Sequence, residues 1–193
     1  RAIAILAVLI FHIDEAWLPG GYLGVDLFFV ISGFVVTRSL IQRRPSYRSF
    51  LLGRVYRLMP AAAVTVLVTV IVFQMTGSGL LDQAHQASSI FALTASANLY
   101  FMFQNSYFDV GLQGNPFLHF WSLNVEEQFY LVWPALVATL LVRSAAVKWV
   151  VLAALIGLSW ALFSFFPNQA FFLMPARAFQ FALGAGAYLV FTR

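Results

Sequence analysis

Long apolar segments constrain what this chain can fold into more than any other feature of its sequence. A helix needs about twenty mainly apolar residues to cross a bilayer. The segments that approach this length predict spans at about 1–13, 22–42, 58–76, 120–142, 149–166 and 173–192. The first is too short for a complete crossing and is interpreted as a truncated membrane helix. The fold class we predict is therefore an all-α, polytopic transmembrane helix bundle with about six spans.

Composition agrees with a membrane environment. Hydrophobic residues make up 62% of the chain, charged residues make up 9%, and the mean hydropathy is +0.86. A soluble domain carries about 25% charged residues. Cysteine is absent, which excludes disulfides and thiolate catalysis. The net charge of +4 comes mostly from a basic cluster between Arg38 and Arg57, which indicates membrane topology rather than a nucleic-acid partner.

The distribution of charge predicts which loops face the cytoplasm. The basic loop at about 43–48 is assigned to the cytoplasm, which leaves the loop with Asp14 and Glu15 outside. A complete span within 84–117 would carry the basic turn 143–148 to the outer side. We therefore predict that 84–117 is re-entrant or half-spanning on the outer side. Its many Ser, Ala, Thr and Asn residues suit a helix buried in protein.

Ionisable residues recur at similar depth in this topology. With a rise of about 1.5 Å per residue, four helices bring such groups into the outer half of the membrane. They are His12, Asp26, Glu126, Glu127 and Arg177. Ionisable groups in spans usually face the bundle interior and pair with one another. The sequence therefore predicts a shared polar site.

Each candidate also has a structural interpretation. Asp26 is as well explained by a hydrogen bond to a neighbouring helix as by catalysis. Ser122, Glu126 and Tyr130 share one helix face, which favours Glu126 as the inward carboxylate and leaves Glu127 to cap or pair locally. His12 alone would more often be structural, but the carboxylates at its depth favour a general base.

Two other patterns have both a structural and a functional interpretation. Arg54 and Arg57 lie at i, i+3 on one helix face and form a pair of guanidiniums suited to phosphate. Arginines that only extend to the lipid interface would give the same sequence pattern. Glycines at 20, 21, 24 and 33 predict a turn and close approach between helices.

Five motifs occur in an order that resembles the membrane-bound acyltransferase family 3, which includes bacterial O-acetyltransferases. They are "RAIAILAVLIFH", "GGYLGVDLFFVISGFVVT", "FLLGRVYRLMPA", "FWSLNVEEQFYLVWP" and "MPARAFQFALGA". The resemblance covers almost the whole chain. Because the transmembrane domain of that family is a bundle of about ten helices, residues 1–193 are expected to form a single but incomplete transmembrane acyltransferase domain.

The resemblance implies transfer of an acyl group, usually acetyl from acetyl-coenzyme A, to a hydroxyl of an extracytoplasmic carbohydrate or lipid-linked envelope acceptor. It places the protein in the bacterial inner membrane as a multi-pass enzyme. The residues that match the family motifs are Arg1 with His12, Phe28 and Phe29 with Ser32 and Gly33, Arg54 with Arg57, and Ser122 with Glu126.

A mechanism follows from these matches as an expectation. Arg54 and Arg57, with Arg1, would bind acyl-coenzyme A as a co-substrate, and His12 would be the general base. Glu126 or Asp26 would orient the imidazole. The substrate or oxyanion candidates are Ser122, Ser32, Arg1, Arg177 and Tyr130. A covalent acyl-histidine relay is an alternative, and we expect no permanently bound cofactor or metal.

A secondary transporter or flippase is the alternative function, because transporters also place charges at mid-depth on several helices. No inverted repeat is detectable between the halves of the chain, and transport gives no reason for paired arginines suited to a nucleotide phosphate.

Overall fold

The computed structural model describes residues 1–75, 83–104 and 114–192, with the side chains of Gln83 and Leu141 left out. Within these ranges the regular structure is entirely helical. The helices are α1 (Ala2–Ile13), α2 (Gly24–Arg43), α3 (Tyr47–Met75), α4 (Gln83–Leu93), α5 (Ala97–Met102), α6 (Phe120–Leu136), α7 (Ala145–Phe165), α8 (Pro167–Ala170) and α9 (Met174–Phe191). A 3-10 turn at Gly21–Leu23 precedes α2, and a π turn at Val137–Leu141 continues α6.

Local sequence signals set the helix ends around the basic segment. Helix α2 ends at Arg43, and Arg44 follows with a positive φ of 45°, the left-handed conformation that often closes a helix. Pro45 then prevents continuation. Ser46 caps the start of α3, because its Oγ accepts a hydrogen bond from Ser49 N at 3.2 Å. Helix α3 thus begins at Tyr47 and not near residue 58, where its apolar part starts.

Three helices among the described residues are long and apolar enough to cross a membrane. They are Gly21–Arg43, Tyr47–Met75 and Ala145–Phe165. The prediction of about six spans is therefore wrong by this measure. Helix α1 has only 12 residues, while α6 has 17 and carries Glu126 and Glu127. Both helices are therefore shorter than the three candidate spans.

The chain forms two compact units. The first contains residues 1–44, 134–159 and 177–193, and the second contains residues 45–133 and 160–176. Helices α1 and α2 belong to the first unit together with most of α9. Helices α3, α4, α5 and α8 belong to the second unit together with most of α6.

Glycines permit close contact between the helices of the first unit. A Cβ added at Gly33 would collide with the backbone of Phe181, and one added at Gly184 would collide with Val30 O. Between α1 and α2, Gly24 lies against Ala4 O in the same way. Close approach at Gly21, Gly24 and Gly33 confirms the sequence prediction, whereas Gly20 has open space around it.

Two side-chain amides hold the break between α4 and α5 in the second unit. Asn124 accepts a hydrogen bond from Ala97 N at 2.8 Å and donates to Ala92 O at 3.3 Å. Gln128 donates to Ala95 O at 3.1 Å, where the chain turns through a positive φ of 57°. Irregular backbone at membrane depth is tolerated only where protein satisfies its polar groups.

Helices α4 and α5 have 11 and 6 residues, so neither spans a bilayer. Ser88, Ala92, Ala97 and Asn98 are buried, as expected of a segment packed against protein. The part of the predicted 84–117 segment at 105–113 lies outside the described residues. Its placement on the outer side of the membrane stays a prediction.

Gly33→Ala tests the close contact between α2 and α9. Alanine favours a helix by about 1 kcal/mol relative to glycine, but its Cβ at this position meets backbone that cannot move aside. We expect a loss of about 1–3 kcal/mol in the free energy of unfolding, measured by denaturant titration in detergent. Gly157→Ala is the matched control, because nothing lies within 4 Å of that Cβ position. Equal stability of the two variants would contradict the contact.

Candidate active site

An ion pair joins α2 to α9 in the first unit. Arg177 Nη1 lies 3.0 Å from Asp26 Oδ1, and Arg177 as a whole is 6% exposed. Gln180, one turn further along α9, donates from Nε2 to the same oxygen at 2.9 Å. The buried Oε1 of Gln180 accepts no hydrogen bond from the described residues, which costs about 1–3 kcal/mol. Asp26 is thus bonded to a neighbouring helix, as its structural interpretation expected.

Arg1 reaches α2 and brings two sequence motifs together. Its Nη2 donates to Ser32 Oγ at 2.7 Å, and its guanidinium carbon lies 4.9 Å from the centroid of the Phe28 ring. Phe28 and Ser32 are four residues apart on α2 and so share one helix face. Ser32 is fully buried. A charge-assisted hydrogen bond and a cation–π contact therefore fix the guanidinium of Arg1.

His12 lies in the last turn of α1 and is exposed. Its Nδ1 is 2.8 Å from Val8 O. A carbonyl oxygen can only accept, so Nδ1 carries the proton and donates it. In the neutral imidazole the basic lone pair is then on Nε2. In this tautomer Nε2 is the nitrogen that can act as a general base.

The inward face of α6 carries the second group of candidates. Glu126 is 2% exposed and Tyr130 is 3% exposed, which confirms the prediction that this face points inward. Glu127 is half-buried and accepts a hydrogen bond from Asn124 Nδ2 at 2.8 Å on the same helix. Its local partner agrees with the structural role predicted for it. Ser122 is half-buried and donates to His119 O at 3.2 Å.

Arg54 is half-buried on α3 and packs on aromatic rings. Its guanidinium carbon lies 4.8 Å from the centroid of the Tyr130 ring and 5.2 Å from that of Phe50. Arg57, one turn further along α3, is exposed. The structure thus places two cations close together on one helix, one of them fixed by rings.

Within each unit the structure brings some of the candidates together. In the first unit, Arg1 meets Ser32 and Asp26 meets Arg177. In the second unit, Arg54 meets Tyr130. The catalytic and coenzyme-binding roles of these residues and of His12, Arg57, Ser122 and Glu126 stay predictions.

Sequence reasoning missed the amide side chains. Gln180 was not identified, although it lies three residues after Arg177 in an apolar helix and so faces the same partner. Asn98 and Gln128 were also missed, and they pair through Gln128 Nε2 and Asn98 Oδ1 at 2.8 Å. The available signal was a neutral polar residue within an apolar run, which is costly unless it is hydrogen-bonded.

Comparison with known proteins identifies relatives of the whole chain. The family described as "Acyltransferase domain" matches residues 1–193. The chain is 32% identical over 207 residues to "Putative peptidoglycan O-acetyltransferase YrhL" of Bacillus subtilis, a match that covers 98% of the chain and 32% of that protein. It is 36% identical over 156 residues to "Peptidoglycan O-acetyltransferase OatA" of Listeria monocytogenes, covering 78% of the chain and 24% of that protein. The chain thus spans about a third or less of these relatives. No solved structure matches it significantly.

Asp26→Asn tests the ion pair between α2 and α9. The substitution removes the carboxylate charge that lies 3.0 Å from the buried guanidinium of Arg177, so we expect a loss of about 2–3 kcal/mol in the free energy of unfolding. Asp14→Asn is the control, because Asp14 is exposed and its carboxylate accepts a bond from Ala16 N that asparagine can also accept. Denaturant titration in detergent measures both variants.

A double variant separates the energy of the interaction between Asp26 and Arg177 from what each residue contributes to stability by itself. Asp26→Asn combined with Arg177→Gln should lose less stability than the sum of the two single changes. Strict additivity would show that the two charges do not stabilise one another.

Proposed function

This chain belongs to the acyltransferase domain family, and from that premise we propose that it transfers an acyl group to a hydroxyl of a cell-envelope carbohydrate. The donor is acyl-coenzyme A, with acetyl as the acyl group, on the cytoplasmic side of the bacterial inner membrane. The names of the relatives from Bacillus subtilis and Listeria monocytogenes support peptidoglycan as the acceptor polymer. Helices apolar enough to cross a membrane support a multi-pass protein.

The observation that carries this proposal is the geometry of His12. Val8 O accepts a hydrogen bond from Nδ1, which leaves Nε2 as the basic nitrogen of an exposed imidazole. A sugar hydroxyl is a poor nucleophile at neutral pH, and a positioned imidazole increases its rate of attack by about 10²–10⁴-fold. His12 is therefore proposed as the general base.

The proposed reaction is a direct acyl transfer. Nε2 of His12 removes the hydroxyl proton while the hydroxyl oxygen forms a bond to the thioester carbonyl carbon. The carbon–sulfur bond then breaks, and the coenzyme thiolate leaves and takes the proton from the imidazolium. The developing oxyanion needs a positive or hydrogen-bonding group, and Arg1 is proposed for this role because Ser32 and Phe28 already hold its guanidinium in place.

The phosphates of the coenzyme are assigned to Arg54 and Arg57. A guanidinium matches a phosphate with two parallel N–H donors, and two guanidiniums on one helix face supply two positive charges. Glu126 and Ser122 keep the roles predicted from the sequence. The charges of Asp26 and Arg177 neutralise one another at 3.0 Å, which favours a structural role for this pair between α2 and α9.

His12→Ala tests the base. Membranes that contain the protein are incubated with acetyl-coenzyme A labelled in the acetyl group, and label in the envelope polymer is measured. We expect incorporation to fall by about 10²–10⁴-fold while membrane insertion is unchanged. His85→Ala is the control, since the His85 ring on α4 lies 6.0 Å from the Phe73 ring on α3.

Two outcomes would contradict the proposal. Near-normal transfer by the His12 variant would remove the base from the mechanism. Energy-dependent uptake of a substrate by the wild-type protein, without label in any envelope polymer, would favour a transporter or flippase.

Replacing both Arg54 and Arg57 by Gln tests the coenzyme site. Loss of two charge-assisted contacts should weaken the binding of acetyl-coenzyme A at least about tenfold in a calorimetric titration. The matched control replaces Arg43 and Arg48 by Gln, because both are exposed and the change in net charge is the same. Unchanged affinity in the first variant, or equal weakening in both, would identify the four arginines as lipid anchors.

A further inference from the structure

One face of α3 packs against α6 within the second unit. Tyr47, Phe50 and Arg54 lie at i, i+3 and i+7 and so form one stripe along α3. The hydroxyl of Tyr47 donates to Leu131 O at 2.9 Å, and the Phe50 ring meets the Tyr130 ring edge-on at 6.1 Å. Arg54 completes this contact over the Tyr130 ring.

The two rings restrain Arg54 without using its hydrogen-bond donors. Its guanidinium carbon lies within 6 Å of both ring centroids, the range of a cation–π contact. Tyr130 and Phe50 are 3% and 7% exposed, so the rings are themselves fixed by packing. Arg54 makes no hydrogen bond to the residues that the structure describes, and its N–H groups point outward in the guanidinium plane.

This combination suits a multiply charged oxyanion such as a phosphate group. A guanidinium whose N–H groups are not engaged binds a phosphate through two parallel hydrogen bonds. Arg57 continues the same stripe one turn further along α3 and adds a second positive charge at the exposed end. A diphosphate group has the charge to match the two guanidiniums.

We propose that Tyr130 is a positioning residue that, with Phe50, orients Arg54 for a diphosphate. The identity of that diphosphate as part of acyl-coenzyme A rests on the proposed function. Holding the guanidinium in place before the ligand arrives lowers the conformational entropy lost on binding. This role replaces the sequence-based expectation that Tyr130 contacts the oxyanion or the acceptor.

Calorimetric binding of coenzyme A in nanodiscs of phosphatidylcholine tests the proposal. Tyr130→Leu removes the ring and should weaken binding by about three- to tenfold, the loss expected for one partly exposed cation–π contact. Tyr130→Phe keeps the ring and should bind within about twofold of the wild type. Tyr56→Leu is the control, because that tyrosine is on the same helix and is 75% exposed.

The Arg54→Gln background separates positioning from a general structural effect. If Tyr130 acts through Arg54, Tyr130→Leu causes no further loss once Arg54 is replaced. In turnover assays the same change should raise KM for the acyl donor and leave kcat unchanged. An equal loss with and without Arg54, or no loss in either background, overturns the proposal.

A pyrophosphate titration distinguishes failure of this inference from failure of the proposed function. If the wild-type protein binds no coenzyme A, the proposed donor is wrong, and the same variants are then compared with pyrophosphate. Weakening by Tyr130→Leu that depends on Arg54 still supports a diphosphate site, and weakening independent of Arg54 overturns it. If the variants change affinity only for nanodiscs that contain phosphatidylglycerol, the site takes a lipid phosphate, which overturns the proposal.

Discussion

The buried guanidinium of Arg177 must keep its charge neutralised, and this requirement fixes how α2 and α9 meet. Asp26 lies 3.0 Å away, and Gln180 donates to the same carboxylate oxygen. Removing a charge from water costs several kcal/mol unless a partner is held in good geometry. Gly33 and Gly184 allow the backbones of α2 and α9 to approach closely enough for this ion pair to form. The position of α2 in turn determines where Arg1 and α1 can lie in the first unit.

The second unit meets the same constraint with neutral groups. Asn124 and Gln128 satisfy the backbone where α4 gives way to α5, and Asn98 donates to Phe172 O, all without a formal charge. Neutral amides are less costly to desolvate than ions, and one amide can donate and accept at once. The break between the two short helices is therefore a supported part of the fold. It gives α6 a fixed set of neighbours on the side that carries Asn124 and Gln128, which is roughly opposite to the side of Glu126 and Tyr130.

The two units contribute different chemistry to the proposed reaction. The first holds an exposed imidazole whose Nδ1 proton is engaged by a backbone carbonyl, together with a guanidinium restrained by Ser32 and Phe28. The second holds the guanidinium of Arg54, which lies over two aromatic rings and whose N–H groups donate no hydrogen bond to the described residues. In each case the polar group is restrained by its neighbours before any substrate binds. Such preorganisation is what an electrostatic or acid–base role needs.

The amino-acid sequence by itself determined the helical fold, most helix ends, the inward face of α6 and the glycine contacts of α2. These features depend on hydropathy, on the 3.6-residue period and on residue size, all of which are local properties. Counting spans from apolar length failed for α1 and α6, which have only 12 and 17 residues, and for α9, where Arg177 and Gln180 interrupt the apolar run. Family membership was also evident from motifs in order. Only the tertiary structure decided that Asp26 pairs with Arg177 and Gln180, that Ser32 receives Arg1, and that Tyr130 covers Arg54. Pairing between distant residues depends on which helices become neighbours, and one helix's sequence does not contain that information.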